Sequence, residues 1–173
     1  MNEIIENILT RRSVRSFNDK PVSKEDIELL LKTAIYAPSG SNKQTWNFFA
    51  VLNKEKIQNL IQVMEKALNK PGYKMCGPTA IIITTNERDS NYGHDDNSSA
   101  MQNMQLAGHS LGIGSVWINQ LSNGNSDIPE IRAELTKLGI PENHLAFGVL
   151  ALGYTDLEPR GIVEKTGKYF IIE

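Results

Sequence analysis

The chain has 173 residues, of which 40% are hydrophobic and 22% are charged, and its formal net charge at pH 7 is −2. This length and composition are typical of one globular domain with a sizeable core, so we expect a single domain over residues 1–173. The near-neutral charge argues against nucleic-acid binding by a broad basic face, and the single Cys76 excludes an intrachain disulfide.

The N-terminal segment MNEIIENIL predicts a short helix over residues 2–9, because its isoleucines and leucine recur at helical spacing. It lacks the basic region and the long apolar run of a signal peptide. Apolar runs such as Ala80–Ile83 are far too short to span a bilayer. These features lead us to expect a cytoplasmic protein that makes no membrane contact.

The next predicted helix starts at Ser23, whose Ser-x-x-Asp pattern is typical of an N-cap. It ends before Pro38, because the residue before a proline is pushed out of the helical region. The PSGSN stretch, residues 38–42, predicts an irregular loop. A buried strand over residues 47–52 follows, and apolar residues spaced from Ile57 to Leu68 predict another helix.

Strands and helices continue to alternate in the second half of the chain. The sequence TAIIITT, residues 79–85, predicts a β-branched strand, and the polar residues 86–96 predict a long loop. A small-residue stripe predicts a helix over residues 98–111, which glycines end, and SVWIN, residues 115–119, predicts a strand.

The C-terminal third predicts one more helix and one more strand. Ser126 is expected to cap a helix that ends at Gly139, and HLAFGVLALGY, residues 144–154, predicts a buried strand. The tail, residues 155–173, is polar and then apolar, which predicts an edge strand or an arm. Helices that alternate with strands indicate an α/β or α+β layered domain around one sheet.

Three stretches carry candidate functional residues, and each has a plain structural alternative. TRRSVRSF, residues 10–17, concentrates three arginines that could bind phosphate bidentately, although a solvated basic patch at a helix end is favoured on these residues alone. PSGSN with the following Gln44 offers hydroxyls and amides to a planar polar ligand, or forms an ordinary turn. LGIGSVWIN, residues 111–119, is not the dinucleotide fingerprint, because its glycines lie between a helix and a strand in that order.

Conventional catalytic sets are missing from the sequence. His94, His109 and His144 show no metal-ligand spacing, and no serine lies in a nucleophile elbow. An enzyme with this sequence would therefore take its chemistry from a cofactor.

The ordered blocks RRSVRSF, APSGSNKQTW and QNMQLAGHSLGIGSVWIN resemble the nitroreductase family of FMN-dependent oxidoreductases, and the resemblance covers nearly the whole chain. It implies an α+β three-layer sandwich with a mixed, mainly antiparallel sheet flanked by helices. It also implies an interlocked homodimer with FMN at the dimer interface, in which the tail, residues 155–173, forms an arm onto the partner subunit.

The resemblance also implies a role for each matching residue. Arg11, Arg12 and Ser13 would hold the phosphate or ribityl end of FMN, and Arg15 would lie beside the N1–C2=O edge of the ring. The PSGSN loop would come from the opposite subunit, and backbone after the glycine pair would face flavin N5. The implied cofactor-binding residues are Arg11, Arg12, Ser13, Arg15, Pro38, Ser39, Gly40, Asn42, Gln44, Trp117, Ile118, Asn119 and Arg160.

The implied activity is reduction of nitro, quinone or related small-molecule acceptors with NAD(P)H as electron donor, by ping-pong hydride transfer through FMN. No side chain is assigned a catalytic role and no metal is expected, since flavin N5 carries the hydride and Arg15 gives electrostatic support. The alternatives are a flavin-binding module with little turnover, a relative with different flavin chemistry such as reductive dehalogenation, and an anion-binding protein without flavin.

Overall fold

Residues 1–158 and 161–173 are described by a computed structural model, and they contain five helices and four strands. The helices are α1 (Glu3–Thr10), α2 (Lys24–Ile35), α3 (Lys54–Ala67), α4 (Gly93–Ser110) and α5 (Pro129–Lys137), and the strands are β1 (Trp46–Val51), β2 (Ala80–Glu87), β3 (Gly114–Ile118) and β4 (His144–Gly153).

Side-chain caps explain where the first three helices begin. The Asn2 side chain accepts from the backbone N–H of Ile4 at 2.8 Å, and Asn53 caps α3 in the same way. The predicted cap at Ser23 is confirmed, because its Oγ accepts from the N–H of Asp26 at 3.0 Å. Each cap satisfies a backbone donor that the first helical turn leaves without a partner.

The four strands form one antiparallel sheet in the order β1-β2-β4-β3. The only parallel pairing among the described residues is an isolated bridge between Ser13 and Ser115, outside the named strands. Strand β2 lies between β1 and β4, and its residues from Ala80 to Asn86 are buried. Because a central strand is buried on both faces, its side chains can be apolar without alternation, which explains the apolar run from which this strand was predicted.

Helices cover both faces of the sheet, which confirms the expected three-layer α+β sandwich. Alternate residues of β2 point to opposite faces. Ile81 and Ile83 pack in a core with α3 and α5, whereas Ile82 packs in a second core with α2 and α4.

Two predicted element boundaries are wrong. The polar stretch 86–96 is not all loop, because α4 begins at Gly93, where a Cβ would lie 2.9 Å from the Phe147 ring. Ser126 does not cap a helix but lies in a short 3₁₀ turn, and α5 begins at Pro129. Proline suits the first helical position because no N–H is required there.

The ends of the chain expose apolar side chains. No residue of α1 is buried, and its Ile4 is 71% exposed. The described residues of the tail form neither helix nor strand. The apolar residues of the tail, Tyr169–Ile172, are 80–96% exposed. None of the helices in the described part of the chain combines the length and the apolarity needed to cross a membrane.

Candidate functional site

A cleft of about 1330 Å³ lies where the end of α1, the end of α4 and the start of β3 meet. Its walls are residues 10–16, His109, residues 112–115 and six residues of the tail between 155 and 165. The arginine cluster predicted from the sequence is therefore one wall of a concave site.

The arginine segment is held by the first residues of β3. The N–H of Val14 donates to the carbonyl of Ser115 at 2.9 Å. This approach favours a glycine at position 114, since a Cβ there would lie 3.1 Å from the Val14 side chain and 3.0 Å from the carbonyl oxygen of Gly153. The second glycine of LGIGS thus allows the close backbone packing that positions the arginines, whereas the first, Gly112, adopts a positive φ of 73°.

Arg12 is fixed by carbonyl groups of the chain itself. Its Nη1 donates to the carbonyls of Leu9 and Arg11, both at 2.7 Å, and its Nη2 donates to the carbonyl of Gly161 at 2.8 Å. Its Nε is buried and has no acceptor among the described residues. Arg12 therefore joins the tail to the end of α1 and places a positive charge at the cleft.

Arg11 carries a buried donor that no described residue satisfies. Its Nη1 is shielded from solvent and lacks an acceptor in the described part of the chain. Burial, and then the charge of the neighbouring Arg12, lower the pKa of Arg11. Buried polar groups are nearly always hydrogen-bonded, so a crowded pair of guanidinium groups with free donors fits an anion with several acceptor oxygens.

Ser13 and Arg15 lie on the open side of the same wall. Both are exposed and line the cleft. His109 faces them from the last turn of α4, and its Nε2 lies 2.9 Å from the hydroxyl of Thr10. Burial, followed by the charges of Arg11 and Arg12, lowers the pKa of His109.

The predicted PSGSN loop lies elsewhere, against the N-terminal turn of α4. It contains a 3₁₀ turn over Gly40–Asn42, and Ser41, Asn42 and Gln44 all have φ between 52° and 54°. Non-glycine residues adopt this conformation only where the surrounding structure holds it, and such strain clusters at functional sites. The side chains also bond within the loop, since Gln44 Nε2 donates to Asn42 Oδ1 at 2.8 Å.

One copy of the chain does not bring this loop to the arginines. Asp96, which bonds the loop, lies in the first turns of α4, whereas His109 lies in its last turn. These positions are about 20 Å apart at 1.5 Å per helical residue. Of the described residues, those lining the cleft include none between 38 and 44.

Trp117, Ile118 and Asn119 lie at the far end of β3 and just beyond it. The indole of Trp117 packs on Gly148, where a Cβ would clash with it, and its Nε1 is buried without an acceptor among the described residues. Ile118 is buried, and the exposed Asn119 accepts from the hydroxyl of Ser122 at 2.7 Å. Because β3 starts at the cleft, these residues lie about 13 Å along the strand from the arginine segment.

Arg160 lies outside the described residues, although its neighbours Glu158 and Gly161 line the cleft. Sequence reasoning missed His109 and Asp96. Their partners, Thr10 and Gly40, are 99 and 56 residues away in the chain, so no local pattern links them.

The residues of the cleft fit the phosphate end of FMN, because an unsatisfied arginine donor, a second arginine and Ser13 lie together there. Comparisons with known proteins point in the same direction. The sequence model of the Nitroreductase family matches residues 8–76 and 73–154.

Three relatives illustrate the similarity. A protein of Archaeoglobus fulgidus, provisionally named NADH dehydrogenase/NAD(P)H nitroreductase, is 36% identical over 158 residues, which are 89% of this chain and 86% of that protein. The NADPH-flavin oxidoreductase of Vibrio harveyi is 27% identical over 92% of this chain and 68% of its own. The crystal structure of a Bacteroides fragilis nitroreductase with bound FMN covers 100% of both chains with 37% identity and a TM-score of 0.90.

Proposed function

This chain belongs to the nitroreductase family, and we propose that its cleft binds the phosphate end of FMN in a homodimer that reduces nitro, quinone or related acceptors. It is an FMN-dependent oxidoreductase that uses NAD(P)H, as its FMN-bound structural neighbour and its NADPH-flavin oxidoreductase relative support. The acceptors and a ping-pong order of substrates are the finer parts of the proposal.

The observation that carries the proposal is the Nη1 donor of Arg11, which is buried without an acceptor among the described residues. A phosphate monoester brings a charge of about −1.5 to −2 and three strong acceptor oxygens. Arg11 and Ser13 supply donors, and Arg12, already fixed by carbonyls, supplies positive charge. Lys165 of the tail lines the same cleft and adds a further cation. The phosphate would therefore relieve the crowding of two adjacent cations.

When bound, FMN supplies the electron-carrying ring that accepts a hydride from NAD(P)H and passes reducing equivalents to the acceptor. We assign Arg15, an exposed cation at the cleft, to the negative charge that a reduced flavin ring carries. We assign the backbone at Trp117, Ile118 and Asn119 to the ring, because this segment continues the strand that begins at the cleft.

A second copy of the chain is part of the proposal. The loop with Pro38, Ser39, Gly40, Asn42 and Gln44 lies at the opposite end of α4 from the arginines, so a shared site needs the loop of a partner. Exposed apolar faces support this assembly, since patches of this kind mark interaction surfaces. They comprise α1 with Ile4, Ile5, Ile8 and Leu9, the tail residues Tyr169–Ile172, and a groove of about 480 Å³ lined by Leu29, Lys32, Thr33, Tyr36, Asn103 and Leu106.

Steady-state kinetics test the finer proposal. The rate of NADH or NADPH oxidation would be measured with a nitroaromatic and with a quinone, each at several fixed donor concentrations. Parallel double-reciprocal lines are expected for a ping-pong order. Intersecting lines would contradict that order, and an absence of turnover with both acceptors would contradict the acceptor class.

A further inference from the structure

The hydrogen bonds of Thr10 determine which nitrogen of His109 carries a proton. Thr10 Oγ1 lies 2.7 Å from the carbonyl oxygen of Glu6, which can only accept, so the hydroxyl proton is donated there. The same oxygen lies 2.9 Å from His109 Nε2 and must accept from it. We therefore assign the N–H of the neutral ring to Nε2, which leaves Nδ1 without a proton.

The imidazole ring of His109 is partly buried and lies among positively charged side chains. Among the described residues, the charged side chains that line the cleft with it are Arg11, Arg12, Arg15, Glu158 and Lys165, and α1 adds Glu3 and Glu6. Partial burial and the two adjacent arginines lower the pKa of His109. The ring is therefore mostly neutral near pH 7 as long as no phosphate is bound in the cleft.

We propose that His109 is a proton-linked binding residue for the phosphate of FMN, which gains a proton at Nδ1 from solvent when the phosphate dianion enters the cleft. The inference rests on the proposed function, since it places the phosphate beside the arginines that line the cleft with His109. The dianion offsets the charges of Arg11 and Arg12, so the imidazolium is favoured in the complex. Apart from this one proton, no bond forms or breaks.

Proton uptake links FMN affinity to pH. His109 binds its proton more tightly in the FMN complex than in the free protein. The affinity for FMN therefore rises as the pH falls from the pKa of His109 in the complex to its pKa in the free protein. The phosphate group also titrates, with its second pKa near 6. A variant that cannot titrate at position 109 is therefore needed to separate the two contributions.

His109→Gln is the matched variant, because the glutamine Nε2 can still donate to Thr10 while the side chain carries no titratable proton. The Kd of FMN would be measured by flavin fluorescence with FMN-depleted protein from about pH 5.5 to about pH 8, a range that brackets the ordinary histidine pKa. The ratio of wild-type to variant affinity is expected to be about tenfold greater at the acidic end. A ratio that does not change with pH would overturn the inference.

Histidine NMR on the wild-type protein separates this inference from the proposed function. Inorganic phosphate is the probe, and the exposed His94 in the first turn of α4 is the internal control. Phosphate should raise the pKa of His109 and should not move the ring signals of His94. If phosphate raises the pKa of His109 in a protein that does not bind FMN, the link between anion binding and protonation of His109 is upheld and the proposed function is contradicted. An unchanged pKa of His109 at saturating FMN or phosphate would overturn the linkage.

Discussion

The carboxylate of Asp96 accepts a hydrogen bond from the backbone N–H of Gly40 at 2.8 Å, so helix α4 holds the strained loop that precedes β1. Asp96 is only 4% exposed, and the ring of Tyr92 covers the same glycine. The three residues with positive φ follow directly along the loop. The loop conformation therefore depends on the hydrogen bond from Gly40 to Asp96 of α4 as well as on hydrogen bonds within the loop.

Replacing Asp96 should destabilise the protein through this loop. Asp96→Ala removes the acceptor of a half-buried N–H and should lower the free energy of unfolding by about 1–2 kcal/mol. Asp96→Asn retains a carbonyl oxygen and should cost less. Asp95→Ala, at an exposed position of the same helical turn, is the control. Urea denaturation checks the order, and equal losses in Asp96→Ala and Asp95→Ala would contradict the anchoring role.

Gly40→Ala should be destabilising because its Cβ would overlap the ring of Tyr92. Overpacking of this kind costs about 1–3 kcal/mol. Tyr92 is 40% exposed, so Tyr92→Ala alone should cost little. A double-mutant cycle measured by thermal or urea unfolding should recover most of the loss in the double variant. If Gly40→Ala is equally destabilising in the Tyr92→Ala background, its effect comes from the backbone at position 40 and not from overlap with the Tyr92 ring.

The ion pair between Arg88 and Asp127 should contribute stability only above acidic pH. Arg88 donates to both oxygens of the carboxylate, at 2.8 and 2.6 Å, and these hydrogen bonds lower the pKa of Asp127. A depressed pKa stabilises the folded state above the unfolded value, near 3.9, and this contribution is lost as pH falls through the folded pKa. Both side chains are more than a third exposed, so the contribution should stay below about 1 kcal/mol.

Asp127→Asn measures that contribution together with the contribution of Arg132, whose Nη2 lies 3.5 Å from the same carboxylate. The variant should unfold more easily than the wild type at neutral pH, and the two should converge below the folded pKa of Asp127. Urea denaturation of both proteins at neutral pH and at a pH below the folded pKa of Asp127 provides the comparison. A difference of the same size under both conditions would show that packing, and not charge, is responsible.

Arg15→Ala should lower the midpoint potential of bound flavin, because it removes a cation proposed to stabilise the reduced ring. A shift on the order of 30 mV is expected, which is about 1.4 kcal/mol for a two-electron couple. Arg15→Lys preserves the charge and should shift the potential less. Reductive titration against reference dyes measures both variants, and a potential unchanged in Arg15→Ala would contradict the assignment.

Much of the fold could be predicted from local patterns. The Ser23 cap and the apolar strands could be predicted because helix capping and strand burial depend on residues that are close together in the sequence. Gly93 could not be predicted as a helix start, since its role depends on the distant ring of Phe147. Ser126 fits the pattern of an N-cap, but the proline at position 129 starts the helix later.

The candidate site was predicted only in part. The arginine cluster is visible because its members are adjacent in sequence, and the structure places them on one wall of a cleft. The contacts of His109 with Thr10 and of Asp96 with Gly40 are tertiary, so they leave no periodicity. Residues whose partners are distant in the sequence were therefore the ones that sequence reasoning missed.

The visible spectrum of the freshly purified protein, recorded before and after addition of NADPH or NADH without oxygen, tests the central proposal most directly. Flavin absorption bands that bleach with the nicotinamide and return with an acceptor are predicted. A colourless protein that stays colourless and retains no FMN after incubation with it would contradict the proposal. In that case the arginines would be a surface patch rather than a cofactor site.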